Sequence, residues 1–196
     1  MKAHKEHNQP LAIIAHGGAW EIPGDMQEAA LEGCSHAAAV GWDVLVDGGS
    51  ALEAVEATVR ILEDDPTFDA GRGAVLNAAG EIELDAIVMD GRTLNLGAAV
   101  AVQHVRHPVT LARLIMDASE HAILAADGAE LFARSQGLAY CPSWELVVER
   151  EVERWRAEAS SQDRTDGRQR AGRPCDTVGA VAMDADGHLA VATSTG

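Results

Sequence analysis

The 196-residue chain carries 31 acidic and 15 basic residues, a formal net charge of -16 with histidine neutral. An acidic surplus of that size excludes nucleic acid and anionic membrane as partners, since both are gripped by clustered Lys and Arg. The length suits one domain that buries roughly 70% of its unfolded surface.

The chain opens with "MKAHKEHNQPLAIIAHGGAW", in which Leu11 to Ala15 form a short apolar run. That run is too short for a signal peptide or a membrane helix, so the expected location is cytoplasmic. The cysteines Cys34, Cys141 and Cys175 form no CxxC or zinc spacing and read as reduced thiols. "LAIIA" followed by "HGG" predicts a buried first strand ending in a glycine turn. A proline-free, alanine-rich stretch from Met26 to about Val46 predicts a helix that "DGGS" breaks. Ser50 and Glu53 then make a capping box, and Ala51, Val55, Val59 and Leu62 follow at helical spacing, predicting a second helix to about Asp64.

"AVLNAAGEIELDAIVMDG" predicts a hairpin: a short strand, a turn around Ala78 to Gly80, then Ile82, Leu84, Ala86 and Val88 alternating with Glu81, Glu83 and Asp85. A further strand fits Leu96 to Val105. Three helices are expected next, after Pro108, from Gly128 to Ser135 and from Trp144 to Ala159, with start signals in Pro108, Asp127 and Ser143. From Ser160 to Pro174 the chain holds a single apolar residue, Ala171, which predicts a flexible linker. "TVGAVAM" and "HLAVATS", joined by "DADG", then predict a closing hairpin with Gly187 in its turn. Strands, helices, a linker and strands again suggest a mixed α/β fold of helix-covered sheets without regular β-α alternation.

Thr177 is the residue whose position carries chemistry. A threonine hydroxyl is a weak nucleophile unless a base takes its proton, and an N-terminal threonine has such a base in its own α-amine, pKa about 7.7 to 8.0. Cutting the Asp176-Thr177 bond would create that amine, and a flexible segment just upstream tolerates such a cut. On position alone, a threonine that merely starts a strand is the simpler reading.

"DTVGAVAMDADGHLAVATSTG", "HGGAW" and "DPTFDAGRGAVLNAAGEIELDAIVMDG", in this order, resemble the plant-type asparaginase and isoaspartyl peptidase family of Ntn-hydrolases from about Leu11 to Gly196. The resemblance implies a four-layer αββα sandwich, here incomplete at its C-terminal side. It also implies a precursor that cleaves itself before the nucleophile and then hydrolyses L-asparagine and β-aspartyl (isoaspartyl) dipeptides. On that pattern residues 1–176 are the α-subunit region, with the linker at about 160–174, and residues 177–196 begin the β-subunit. Thr177 matches the nucleophile and Asp176 the residue whose peptide bond is broken. Thr195 matches a supporting threonine, and an antiparallel pairing would bring it beside Thr177; Thr193 reads as an ordinary β-branched strand residue. Gly17 and Gly18 match a turn near the active site, where His16 is not the general base. Asp69 stands where the family commonly has Asn.

"LEDDPTFDAGRG" resembles a loop that holds a structural sodium ion through the carbonyls of Leu62, Glu63, Asp65, Phe68, Ala70 and Arg72, oxygen donors that suit a hard cation; a plain helix-terminating turn is the competing reading. No other cofactor is expected. "HGGAW" lacks the lysine and second glycine cluster of a phosphate loop, and His104, His107 and His121 show no ligand spacing. Family members continue past "TSTGG" into the Arg and Asp that clamp the substrate and the Thr-Gly pair of the oxyanion hole. The 196 residues alone are therefore expected to stay uncut and inactive, with Leu189 to Thr195 as an unpaired edge strand; the whole protein is expected to form a dimer of αβ units. Two alternatives stand beside this reading: a glycosylasparaginase-like hydrolase, and a noncatalytic truncated homologue that acts as a binding partner.

Overall fold

The computed structural model describes residues 9–19, 22–160 and 176–196. Its elements are β1 (Ala12–His16), α1 (Gln27–Val46), α2 (Ala51–Asp64), β2 (Leu84–Asp90), β3 (Leu96–Val102), α3 (Pro108–Ala118), β4 (Ile123–Ala125), α4 (Ala126–Ser135), α5 (Glu149–Ser160), β5 (Thr177–Met183) and β6 (Leu189–Thr195). One six-stranded sheet runs in the order β1-β5-β6-β2-β3-β4, antiparallel except for the parallel β3-β4 pair. The chain is thus a mixed α/β protein, as the order of its hydrophobic patterns predicts.

Small residues let the helices lie close on one face of the sheet. Val178, Ala180, Ala182, Ala190, Ala192, Ala86 and Val88 point into a core with Val55, Val59 and Leu62 of α2 and Ala37 and Leu45 of α1. Each fully buried Val or Leu contributes about 1.5–3 kcal/mol relative to an exposed one. A second cluster packs Leu111 and Ile115 of α3 and Ala129 and Ala133 of α4 against Leu84, Ala99 and Val102. The opposite face of the sheet presents Ile14, Val181, Val191, Ile87, Val100 and Ile123 to solvent, with Ile14 71% exposed. These residues make one sheet and its helical layer.

α2 begins as its sequence signature requires: the Ser50 hydroxyl accepts from the Glu53 amide while the Glu53 carboxylate accepts from the Ser50 amide. Its apolar spacing buries Val55, Val59 and Leu62 completely. β1 lies one residue later than expected and is not buried, its residues alternating between exposed and half-buried, because no layer of the described residues covers the outer face of the sheet.

Four further expectations need correction. Residues 74–77 form no strand. Asn77 closes the turn on itself, its side-chain oxygen accepting from the Ala79 and Glu81 amides, and both edges of β2 are already taken by β3 and β6. β3 stops at Val102 rather than Val105, after Ala101 turns to a positive φ of 53° and gives its amide to the Asp85 carboxylate. The helix expected from Trp144 is split into a short 3-10 turn, Ser143–Glu145, and α5, with buried Leu146 between them accepting from the Gly73 amide. Finally, β6 is no edge strand: it lies between β5 and β2. The three-residue β4 has no counterpart in the sequence reading, and the expected linker falls outside the described residues apart from Ser160, which ends α5.

Candidate active site at the Asp176–Thr177 junction

Four parts of the chain meet at the Asp176–Thr177 bond: the turn after β1, the loop after α2, the start of β5 and the end of β6. The β5-β6 register pairs Thr177 directly with Thr195, since the tight turn Asp184–Gly187, with Gly187 at φ 77°, leaves the two strands equal in length. The Thr195 hydroxyl donates to the Asp176 carbonyl at 2.5 Å. This is the carbonyl of the Asp176-Thr177 peptide itself.

The Asp176 carboxylate faces the turn after β1. Its Oδ1 accepts from the Ala19 amide at 2.7 Å and from the Thr177 amide at 2.8 Å, while its Oδ2 is buried with no hydrogen-bond partner among the described residues. Gly18 makes this approach possible: its φ is +112°, and a Cβ there would sit 1.6 Å from Asp176 Oδ2. Gly17 is equally crowded, with the Phe68 ring 2.2 Å from where its Cβ would lie. His16 packs against Gly179 across the β1-β5 pair and reaches none of these groups.

Asp69 approaches from the loop after α2 and is only 8% exposed. Its Oδ1 accepts from the Val75 amide and its Oδ2 from the Asp176 amide, both at 2.8 Å. Burial pushes its pKa up to about 6, against the pull of those two amides. Asp69 also shares a cleft with Thr67, Val75, Asp176 and the α5 residues Arg150, Glu151 and Arg154. Glu151 is buried there at 2% exposure, with Arg150 Nε and Arg154 Nη1 each 2.7 Å from its oxygens. A larger groove, lined by Ser50, Asp90, Arg113, Asp184 and His188, sits at the far end of the β5-β6 hairpin, away from this chemistry.

The loop from Leu62 to Gly73 folds back on α2 through glycine. Arg72 donates its amide to the Glu63 carbonyl and Phe68 its amide to the Asp65 carbonyl. Gly71 at φ +53° and Gly73 at φ +108° approach the carbonyls of Glu63, Pro66 and Phe68 too closely for any Cβ. The loop is therefore dense in carbonyl oxygens, the donor chemistry a hard cation requires.

Three groups near the junction escaped the sequence reading. Glu63 was read for its carbonyl alone, yet its side chain is wholly buried; Oε1 accepts from the Val109 amide at the start of α3, and burial drives its pKa up to about 8. Its position four residues after Val59, on the apolar stripe of α2, is a legible signal. Ser194, beside Thr195, is buried too, and neither its hydroxyl nor Glu63 Oε2 has a partner of good geometry among the described residues, although the Ser194 hydroxyl favours the charged carboxylate. The buried Glu151, flanked by arginines in a polar helix, left no periodic signal.

The sequence profile of the asparaginase family matches residues 8–196, and the chain belongs to that family. It is 44% identical to the isoaspartyl peptidase/L-asparaginase of Xenopus laevis, over 94% of this chain and 59% of that protein. The human protein of the same name is also 44% identical, over 95% of this chain and 60% of that protein. The isoaspartyl peptidase of Salmonella typhimurium is 43% identical, over 94% and 62% respectively. The chain thus spans about three fifths of the length of these curated relatives.

Proposed function

We propose that the whole protein is an N-terminal threonine amidohydrolase that makes its own nucleophile by cutting Asp176-Thr177 and then hydrolyses L-asparagine and β-aspartyl dipeptides. The observation that carries this reading is the Thr195 hydroxyl bonded to the Asp176 carbonyl, with Thr195 directly opposite Thr177 in the register. A donor on a carbonyl oxygen stabilises the negative charge that develops there when the carbon is attacked. The names of the relatives support the choice of substrates.

In the cut, Thr177 Oγ bonds to the Asp176 carbonyl carbon, and the hydroxyl proton passes to the Thr177 nitrogen as the C–N bond breaks. Water then hydrolyses the resulting ester, giving the Asp176 carboxyl and returning the Thr177 hydroxyl beside the α-amine that the shift has freed. In turnover that amine takes the Thr177 hydroxyl proton, the oxygen attacks the side-chain carbonyl of the substrate, and ammonia or an amino acid leaves with the proton. A second water clears the β-aspartyl ester. The carbonyls of Leu62, Glu63, Asp65, Phe68, Ala70 and Arg72 would hold a structural sodium ion, which adds only rigidity to the loop that carries Asp69 to the junction. The αβ units would pair as dimers.

Intact mass spectrometry of the whole protein, followed in time, tests this. Two fragments, one beginning at Thr177, are expected, with hydrolysis of L-asparagine and a β-aspartyl dipeptide tracking their appearance. In Thr177→Ala both activities should fall by on the order of 10⁴-fold or more. A Thr177→Ala protein that is still cut and active would sink the assignment.

A further inference from the structure

We propose that Glu63 and Ser194 form a buried positioning pair for self-cleavage: set behind Thr195, on the covered face of the sheet, they hold the end of β6 so that the Thr195 hydroxyl meets the Asp176 carbonyl. The inference rests on the self-cleavage reading above and adds to it two residues that act through Thr195.

Side chains alternate along β6. Ala190, Ala192 and Ser194 are buried under the helical layer, while Thr193 and Thr195 lie half-buried on the other face. A strand that turns about its own axis moves the side chains of both faces at once, so whatever holds Ser194 also holds the aim of Thr195. Ala190 and Ala192 offer only a methyl group each to the core. Ser194, between Val178 of β5 and Ala86 of β2 in the ladders, is the polar residue of this row and is 1% exposed. The aim matters because the Thr195 hydroxyl must meet the carbonyl of the cut bond: a 1 Å misplacement costs on the order of 10²-fold in rate.

Glu63 is a costly residue where it stands. It lies on the apolar stripe of α2, wholly buried, in the last turn, where the helix carbonyls disfavour negative charge and no basic residue stands. An apolar side chain at this place would avoid burying a carboxyl. Its Oε1 accepts from the Val109 amide at 2.9 Å, which ties the carboxyl to the start of α3. Its Oε2 and the Ser194 hydroxyl each lack a hydrogen bond of good geometry, yet they lie close enough that the hydroxyl favours the charged carboxylate. The pair works in either protonation state, because a hydroxyl can donate to a carboxylate or accept from a carboxylic acid. Contacts thus run from α3 through Glu63 to Ser194, one residue from the donor on the cut carbonyl. Polar groups that stability disfavours, placed directly behind that donor, fit a role in the reaction.

The test follows by intact mass the rate at which the fragment beginning at Thr177 appears in the whole protein and in its Ser194→Ala, Glu63→Leu and Glu63→Gln variants. Ser194→Ala and Glu63→Leu are expected to cleave about 10-fold more slowly. Glu63→Gln keeps an acceptor for the Val109 amide and a polar group toward Ser194, and should stay within about threefold of the parent. The Thr195→Val protein separates positioning from general loosening. There the donor is already gone, so adding Ser194→Ala should change the remaining rate by less than about twofold, whereas a loss of structure would slow both backgrounds alike. Ser194→Ala that cleaves within about twofold of the parent, or that slows both backgrounds by the same factor, would overturn the proposal while leaving self-cleavage intact, and so would Glu63→Gln as slow as Glu63→Leu. A parent that never cleaves would remove the self-cleavage reading and the proposal with it. If Glu63→Leu does not fold, or Thr195→Val is too slow to follow, the rates of Ser194→Ala and Glu63→Gln against the parent decide: a slow first and a near-parental second support the pair, and any other result overturns it.

Discussion

The two ends of the β5-β6 hairpin are made from the same pair of strands and solve opposite problems. At the turn, Asp184 is buried and satisfied: Oδ1 accepts from the Asp186 and His188 amides at 3.0 Å each, and Oδ2 accepts from the Ala51 amide at the start of α2. At the other end, Asp176 Oδ2 has no partner, and Glu63 and Ser194, which interact with each other, leave Glu63 Oε2 and Ser194 Oγ without a hydrogen bond of good geometry; these are three of the four such buried side-chain atoms among the described residues. The turn ties a loop to a helix, whereas the open end collects buried polar groups whose hydrogen bonds are incomplete, as at sites where function rather than stability sets the arrangement. If the Asp176-Thr177 bond is the one that is cut, stability and reactivity are separated along one hairpin by the length of seven residue pairs.

Substitutions at each end sharpen that contrast. The largest effect is expected from Thr195→Val, which keeps the β-branched shape and removes the donor to the Asp176 carbonyl: cleavage of the whole protein should slow by about 10²- to 10³-fold, with little change in thermal midpoint. Thr195→Ser should recover most of the rate, because the hydroxyl returns; time-resolved intact mass reads both. A Thr195→Val protein that cleaves at the parental rate would erase the distinction between the ends. Asp184→Ala should do the reverse. It strands amides of Ala51, Asp186 and His188 and should lower stability by about 1–3 kcal/mol, measured by urea unfolding, while cleavage proceeds at its parental rate once folded.

The smallest effect lies at the α2 cap next to Asp184. The Ser50 amide and then its hydroxyl hold the Glu53 carboxyl below its ordinary range. A depressed carboxyl pKa adds stability above the unfolded-state value and loses it as pH falls through the folded-state value. Glu53→Ala should therefore cost less than about 1 kcal/mol near neutral pH, because the group is exposed. That cost should vanish in acid below the depressed value; a difference between parent and variant that persists or grows there would contradict it.

Periodicity and capping made α1, α2, β2 and the closing hairpin legible, because these elements depend on their own residues: Ser50 and Glu53 cap each other, and Gly187 meets its turn unaided. Elements defined by a distant partner were not legible. Residues 74–77 look like a strand until Asp69 takes the Val75 amide, and β4 exists only because three residues find the free edge of β3. The same division applies to the site. Thr177, Thr195 and the glycines of the first turn are visible as motifs, whereas the acceptor role of Asp69 requires two backbone amides from elsewhere, which no spacing along the chain encodes. Glu63 lies between these cases, since its place on the apolar stripe of α2 is written in the sequence but its contact with Val109 is not.

The strand order has a consequence for what the cut would leave behind. β5 and β6 are clasped between β1 and β2, five residue pairs on one side and six on the other, with α2 across them. Breaking the chain before Thr177 removes one covalent bond and none of those ladders. The pieces would travel as one particle through a sizing column and separate only in denaturant, so the new terminus emerges already gripped in a finished sheet, as a splice that replaces a chemical link by a woven one.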